Sequence, residues 1–517
     1  MTNRNVVESA SVPGSRQLPV KEAAEPTRQQ AGLPEQTPAA SAKDAPSKDA
    51  NDAPGKDAGS KDTGPKDAVS KDAGGSASRL GWLDVLRGVA ALAVVFDHVS
   101  YYTLQHVRQL IYQWFDPGNY GVFVFFLISG YIVPASLERK GSVRTFWVSR
   151  VFRLYPLYLL AVGVAVAFYL TNVGSARGEA SDPVGSFLSQ FLMMSNVLSG
   201  QNLPNVVWSL SYEMVFYLLL TALFIARVHK RSSWYALAFA AAAVALGGLL
   251  PRHYLVGNLA PLRLVALITD LVVLAGLAFA VVMRGMSRLL GAALAAVVAV
   301  VLLAFNGGWI WPWEALSILA LMFTGTMFYR AEQGQYPWRK AIAIGVTVLG
   351  LALAAGLWHS RAWGMSAHAE LLWSRRWVTA FGLAALTFAA GLAFRRRVRW
   401  PRALTWLGLI SYSVYLLHPL VIAAYHHWYP SRQHHFYLQV PIAAGLLVIV
   451  IALSSVTYLF VERPMQDVGR RVGRWMDARF GPDRAPGPVP AEERRPAMAG
   501  RGRPATELPD TELPEPE

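Results

Sequence analysis

The sequence predicts an all-α polytopic membrane protein, a bundle of about 10–12 transmembrane helices with disordered tails at both ends. Two observations predict this fold class. Of the 517 residues, 53% are hydrophobic and only 16% are charged. The hydrophobic residues also concentrate in runs of about 17–22 residues, the length that a helix needs to cross a bilayer. The runs lie near residues 84–103, 119–138, 152–171, 206–226, 234–250, 262–283, 287–304, 313–329, 340–357, 376–394, 404–425 and 437–460.

The residues before the first run are expected to form a disordered tail. Residues 1–78 are rich in Pro, Ala, Ser, Gly, Lys and Asp, and they contain the near-repeat KDAGS-KDTGP-KDAVS-KDAGG from Lys56 to Gly75. Such a segment has too little apolar surface to offset the entropy of ordering, and it lacks the apolar stretch of a signal peptide. A transmembrane domain follows over residues 79–465. Residues 466–517 then predict a short cytoplasmic interfacial stretch and a second disordered tail.

The basic residues between the runs predict an orientation. They recur after every second run, for example at Arg139-Lys140, from Arg227 to Arg231 and from Arg395 to Arg399. Cytoplasmic loops carry such an excess of Arg and Lys, so we expect both termini to be cytoplasmic in a multi-pass protein of the cell (inner or plasma) membrane. The pair Arg375-Arg376 lies on the opposite side and is the exception.

Composition also excludes several functions. The chain has no Cys, which rules out disulfides, thiolate catalysis and Cys-ligated metals or clusters. A formal net charge of +15 suggests nucleic-acid binding in a soluble protein, but here the Arg clusters are explained by orientation in the membrane. We therefore expect no nucleic-acid partner, no metal and no permanently bound cofactor.

Two ionisable residues lie inside the first apolar run. Arg87 and His98 are eleven residues apart, which places them on one helix face about 16 Å apart along the axis. Ionisable groups within a bilayer are costly and mark functional sites by default. The alternative is that Arg87 extends to the headgroups and His98 bonds a backbone carbonyl.

Three polar residues are expected at one depth, in the outer third of the bilayer. They are His98, Glu213 and His418, assigned from the direction in which each run crosses. A histidine with a carboxylate partner suits general-base catalysis at a hydroxyl, because the imidazole takes the proton and the carboxylate fixes its tautomer. We thus predict His98 as the base and Glu213 as its partner. The alternative for Glu213 and His418 is an interhelical hydrogen bond that only packs the bundle.

A second cluster is predicted at the cytoplasmic end, where Arg87 begins the first run. Arg150 and Arg153 are three residues apart on a helix, so they share a face and can fork around a diphosphate. The alternative is positive-inside anchoring. Between these motifs, the small pair Ser129-Gly130 permits close approach of a helix or an acyl chain.

Together these motifs resemble the acyltransferase 3 family of polytopic membrane O-acyltransferases. The resemblance covers about residues 79–465 and implies transfer of an acyl group, commonly acetyl, from cytoplasmic acyl-CoA to a hydroxyl of a carbohydrate or other acceptor. It implies that His98 is essential, that Arg87, Arg150 and Arg153 bind the donor, and that Glu213 belongs to a site motif. The motifs are Leu83-Asp-Val-Leu-Arg87-Gly with His98, Phe125-Phe-Leu-Ile-Ser129-Gly130, Arg150-x-x-Arg153-x-x-Pro156, Trp208-Ser-Leu-Ser211-Tyr-Glu213 with Tyr217, Ser411 to His418, and Val461-Glu-Arg-Pro464.

The sequence thus predicts an acyl-CoA-dependent O-acyltransferase with His98 and Glu213 as catalytic residues. We expect Ser129, Trp208, Ser211, Tyr217 and His418 to line its site. The acceptor stays open between a surface polysaccharide, a glycolipid and a glycosylated secondary metabolite. One alternative is a permease or exporter of a small polar solute or glycan, since intramembrane charges fit that as well. Another is a scaffold that recruits partners through its tails.

Overall fold

A computed structural model describes residues 70–173, 182–360, 366–429, 435–481 and 483. The tail expected over residues 1–78 lies outside the described residues as far as residue 69, and so does the C-terminal tail beyond residue 483. Within the described ranges the chain is helical, with one isolated bridge between Val256 and Ala260 and no strand. The all-α prediction is confirmed.

Sixteen α-helices are formed by the described residues, and each predicted apolar run overlaps at least one helix. The helices are α1 (Ser70–Thr103), α2 (Gln105–Tyr112), α3 (Pro117–Lys140), α4 (Val143–Leu170), α5 (Pro183–Phe191), α6 (Trp208–Ile225), α7 (Ser232–Leu246), α8 (Leu262–Val282), α9 (Gly285–Phe305), α10 (Pro312–Glu332), α11 (Trp338–His359), α12 (Ala367–Phe394), α13 (Arg402–Leu409), α14 (Ser411–Trp428), α15 (Phe436–Thr457) and α16 (Arg463–Phe480). A 3₁₀ turn (Asn205–Val207) precedes α6, and a π-helical segment (Tyr458–Glu462) joins α15 to α16.

The lengths and hydropathies of the helices fit a polytopic membrane bundle. Eight helical spans in the described ranges are long and apolar enough to cross a membrane, or nine when α13 and α14 count as one broken span. These two helices meet at a bend of 69°. Helix α7 is apolar but shorter, at 15 residues. Helices α1 and α10 carry more polar residues and pack against α3 in the interior.

Local signals in the sequence explain where helices α3 and α4 begin and end. Asp116 caps α3 by accepting a hydrogen bond from the amide of Asn119 at 2.9 Å, and Pro117 occupies the first turn. The helix ends at Gly141, whose positive φ of 62° suits glycine. Ser142 then caps α4. This tight connection fixes α4, and with it Arg150 and Arg153, beside the end of α3.

The pair Ser129-Gly130 permits close helix packing, as predicted. A Cβ atom added at Gly130 would lie 2.0 Å from the carbonyl oxygen of Met322 in α10. Gly325 of α10 matches it, since a Cβ there would lie 2.4 Å from the carbonyl oxygen of Leu127. The hydroxyl of Thr326 donates to the carbonyl of Gly130 at 2.8 Å. The two backbones are therefore in contact, which sets the position of Ser129.

Candidate active site

Two cavities lie along the same pair of helices, α1 and α14. The first, which we call the His cavity, has a volume of about 340 Å³. The second, the Arg cavity, has a volume of about 90 Å³. The His cavity is lined by His98 and Tyr102 of α1, Ala165 and Phe168 of α4, Val173, residues 201–205, and Pro419, Leu420, Ile422, Ala423 and His426 of α14. The Arg cavity is lined by Arg87, Val122, Phe125, Phe126, Ser129, Val133, Arg150, Arg153, Leu154, Ser209, Leu210, Glu213, Tyr217, Ser411, Tyr412 and Tyr415.

Three guanidinium groups meet at the Arg cavity, as the sequence motifs predicted. Arg87 pairs with Asp84 one turn earlier in α1, at 3.4 Å. Arg150 is buried, and its guanidinium lies 5.4 Å from the ring centres of Phe146 and of Tyr217. Its Nε has no hydrogen-bond partner. A buried cation without a carboxylate partner is costly, so this cavity is suited to an anionic ligand.

Glu213 is the acidic side chain that lines the Arg cavity. One of its oxygens, Oε1, accepts hydrogen bonds from the hydroxyl of Ser129 at 3.0 Å and from that of Tyr217 at 2.5 Å. Ser129, Tyr217 and Glu213 thus form one polar group opposite the guanidiniums of Arg87 and Arg150. The lining of the Arg cavity thus holds three guanidiniums and one carboxylate, and Asp84, outside the lining, pairs with Arg87.

His98 and His418 contact each other between α1 and α14. Nδ1 of His98 lies 3.0 Å from the carbonyl oxygen of Val94 and 3.3 Å from Nε2 of His418. Nδ1 of His418 lies 3.0 Å from the carbonyl oxygen of Val414. A carbonyl only accepts, so these contacts assign the proton to Nδ1 in both rings. Nε2 of His98 then carries the free lone pair, and the His98 ring lines the His cavity.

This tautomer gives the His98 ring the properties of a general base. When Nε2 takes a proton, the ring becomes an imidazolium whose Nδ1–H still donates to Val94 and to His418. His418 is fully buried and offers a neutral acceptor. The pair can thus hold a proton at Nε2 of His98 without rearranging its hydrogen bonds.

A thin wall separates the two cavities. The hydroxyl of Tyr415 lies 2.8 Å from that of Ser209 and donates to the carbonyl of Val206 at 2.9 Å. The Tyr415 ring also packs edge-on against Phe125, with ring centres 5.7 Å apart. Tyr415 and His418 are less than one turn apart on α14, with ring centres 6.1 Å apart.

The structure does not pair Glu213 with His98 as predicted, since the two residues line different cavities. Helix α6 begins next to a buried segment, residues 192–198. The amide of Asn196 in that segment donates to the hydroxyl of Ser211 at 3.1 Å, and its side chain donates to Tyr212 at 2.8 Å. Glu213 therefore lies nearer to Arg87.

The other predicted lining residues divide into two groups. Ser129 and Tyr217 line the Arg cavity, whereas His418 lies behind His98. Ser211 and Trp208 line neither cavity. Ser211 holds the buried segment, and the Trp208 ring packs 4.9 Å from that of Trp309.

Two contacts at the site were not predicted from the sequence. The wall of Tyr415 and Ser209 joins α14 to α6, which are far apart in the chain. Asp97, next to His98, accepts from the guanidinium of Arg108 at 2.7 Å and from the hydroxyl of Tyr112. Asp97 thereby fixes the last turns of α1 against α2. The only sequence signal for this clamp is a carboxylate inside an apolar run.

A family model described as an acyltransferase domain matches residues 80–459. Acyltransferase MdmB of Streptomyces mycarofaciens is 33% identical over 176 residues, which are 32% of this chain and 45% of MdmB. Putative membrane-bound transacylase BcsY of Komagataeibacter xylinus is 24% identical over 405 residues, 75% of this chain and 83% of BcsY.

A third relative is the peptidoglycan O-acetyltransferase OatA of Listeria monocytogenes. It is 28% identical over 152 residues, 26% of this chain and 23% of OatA. The matches to MdmB and OatA thus span less than half of those relatives, at 45% and 23%. No solved structure matches the chain significantly.

Proposed function

This chain belongs to the acyltransferase 3 family, and from that premise we propose that it is a membrane O-acyltransferase that uses acyl-CoA as its donor. The acyl group, acetyl in our proposal, moves to a hydroxyl of a carbohydrate, a glycolipid or a secondary metabolite. The proposal rests on one observation. An arginine-lined cavity and a histidine-lined cavity lie along the same two helices, α1 and α14.

The Arg cavity is proposed as the donor site. Coenzyme A carries a diphosphate, for which forked guanidiniums are the preferred partners. The cavity, at about 90 Å³, is much smaller than coenzyme A, so in this proposal only part of the donor enters it. By the positive-inside rule, this end of the bundle is cytoplasmic, as are both termini, and the protein resides in the cell membrane.

The His cavity is proposed as the acceptor site. An acceptor hydroxyl gives its proton to Nε2 of His98 while its oxygen attacks the thioester carbonyl carbon. The carbon–sulfur bond then breaks, and the CoA thiolate leaves with the proton that the imidazolium returns. Because the sequence has no Cys, no thiol-bound acyl-enzyme forms on this chain. The thioester has to pass Tyr415, so the wall must open during turnover.

The acceptor class follows from the relatives only by analogy. OatA is named for peptidoglycan, a glycan polymer with free hydroxyls. The His cavity, at about 340 Å³, has a polar rim that includes Gln201, Asn202 and Asn205. Amide side chains of this kind pair with sugar hydroxyls. These features support a carbohydrate acceptor. A glycosylated metabolite would present the same sugar hydroxyls on a smaller molecule.

Sealed vesicles of both orientations test the donor assignment. We expect labelled acetyl-CoA to be consumed only when it reaches the face with the Arg cavity, with label appearing on an acceptor added to the opposite side.

Arg150→Ala should raise KM for acetyl-CoA. The matched control is Arg139→Ala, an exposed arginine at the end of α3 that lines neither cavity. If both variants behave alike, positive-inside anchoring explains these arginines. Solute movement without consumption of acetyl-CoA would indicate a permease.

A further inference from the structure

Arg375 and Arg376 are the pair that the orientation rule does not explain. Both lie in the first turns of α12, at the His98 end of the bundle. They line a basin of about 520 Å³ between α12 and α2, together with Arg108. The basin lies apart from both cavities of the active site, and it shares no lining residue with them.

Aromatic rings hold the guanidiniums in this basin. The guanidinium of Arg375 lies 4.3 Å from the ring centre of Trp114. The guanidinium of Arg376 lies 4.9 Å from the ring of Tyr112, and its Nε donates to the Tyr112 carbonyl. Arg108 stacks on the same Tyr112 ring at 3.8 Å. Stacking leaves N–H groups of Arg375 and Arg376 able to bind an oxyanion, whereas Nη1 of Arg108 donates to Asp97.

The carboxylates near the basin do not balance these charges. Asp97 pairs with Arg108 at 2.7 Å. Asp116 caps α3, and burial together with the charge of Asp97 raises its pKa to about 6, so it is anionic at neutral pH. Among the described residues, no carboxylate pairs directly with Arg375 or Arg376. The lining of the basin itself holds three guanidiniums and no carboxylate.

An apolar groove adjoins the basin. It has a volume of about 550 Å³ and is lined by α1, α2 and the start of α3. Leu110 is 67% exposed and Trp114 is 57% exposed, which leaves an uncovered hydrocarbon surface. Trp114 lines the groove, and its ring also stacks with the Arg375 guanidinium. The groove and the basin therefore meet at Trp114. The surface on one side of this residue is apolar, and the surface on the other side is basic.

We propose that this groove and basin bind one anionic phospholipid, with its phosphate among Arg108, Arg375 and Arg376 and an acyl chain along Leu110 and Trp114. Its headgroup carries one net negative charge, as in phosphatidylglycerol, and so complements a lining with three guanidiniums and no carboxylate. A zwitterionic phosphatidylethanolamine has no net charge, and a lipid diphosphate has more than one. The lipid would cover the connection between α1 and α2, next to the Asp97 clamp.

Native mass spectrometry of the full chain tests this site, because it does not depend on acyl transfer. The chain is purified in detergent with equimolar phosphatidylglycerol and phosphatidylethanolamine. We expect the parent to retain one tightly bound phosphatidylglycerol. Arg375→Gln should weaken that retention about fivefold, the effect of one basic residue near a lipid surface. Ala93→Trp should also weaken it, since Ala93 lines the groove and a larger side chain fills it.

Two variants serve as controls. Arg375→Lys should retain part of the binding, because it keeps the charge but loses the planar fork. Arg396→Gln should retain all of it, since this side chain is 74% exposed and outside the basin. Equal retention of the two phospholipids by the parent, or unchanged retention in Arg375→Gln, would overturn the proposal. Preferential retention of an added polyisoprenyl diphosphate would also overturn it and assign the site to another lipid.

Discussion

The contact between His98 and His418 leads to a prediction that distinguishes His418 from a packing residue. His418→Phe keeps a ring in the buried position but removes one of the two acceptors for the Nδ1 proton of His98, the other being the Val94 carbonyl. His418→Gln is the matched variant, because its amide oxygen can still accept that proton. We expect His418→Phe to lower kcat, and His418→Gln to restore much of the loss.

The size of the effect follows from the geometry. A hydrogen bond to a charged group contributes about 1.5–3 kcal/mol. The contact of 3.3 Å is longer than the usual range of about 2.7–3.2 Å, so the lower end applies. Since about 1.4 kcal/mol corresponds to a factor of ten, His418→Phe should slow transfer about tenfold. Loss of the base itself in His98→Ala should cost about 10²–10⁴-fold.

The assay is CoA release from acetyl-CoA by the purified chain, in the presence of an envelope glycan fraction. A thiol reagent gives no background from the protein, because the chain has no Cys. If His418 acts through His98, His418→Phe should change little in a His98→Ala background. A further tenfold loss in that background, or equal losses in His418→Phe and His418→Gln, would refute the reasoning.

Three further predictions concern the donor site and the fold. Glu213→Gln should change KM for acetyl-CoA and leave the pH profile of kcat unmoved, with losses that add to those of His98→Ala; non-additive losses would restore Glu213 as the partner of His98. Arg150→Lys should recover only part of the donor affinity that Arg150→Ala loses, because an ammonium does not fork around a phosphate, and full recovery would argue against a bidentate contact. Gly130→Ala should destabilise the protein by at least about 1–3 kcal/mol, seen as a lower Tm in detergent, whereas Gly163→Ala, whose added Cβ meets nothing within 4 Å, should not.

Most of the fold follows from the sequence because the bilayer constrains the chain strongly. Runs of apolar residues must form helices, since every backbone polar group has to be paired in hydrocarbon. Where the chain departs from straight spans, the sequence has no comparable signal. The bend of 69° between α13 and α14 and the π-helical segment before Arg463 are the two clearest cases.

The candidate site, like the fold, was predicted from the sequence only in part. The spacing of Arg150 and Arg153 predicted their shared face, and the position of Arg87 in the first run predicted its approach to them. The pairing of Glu213 with His98 was not found, because Glu213 bonds to Ser129 and Tyr217 and lines the Arg cavity. The contact of His98 with His418 depends on the packing of α1 against α14, which periodicity does not encode.

Direct transfer from acyl-CoA with His98 as the base is the central claim, and one isotope experiment tests it most directly. Membranes with the parent chain or with His98→Ala receive [13C2]acetyl-CoA, and glycans and metabolites are then examined by mass spectrometry. We predict labelled acetyl esters on an acceptor with the parent, and at least about a hundredfold less with His98→Ala at equal expression. Labelling by His98→Ala within a few-fold of the parent would contradict the account.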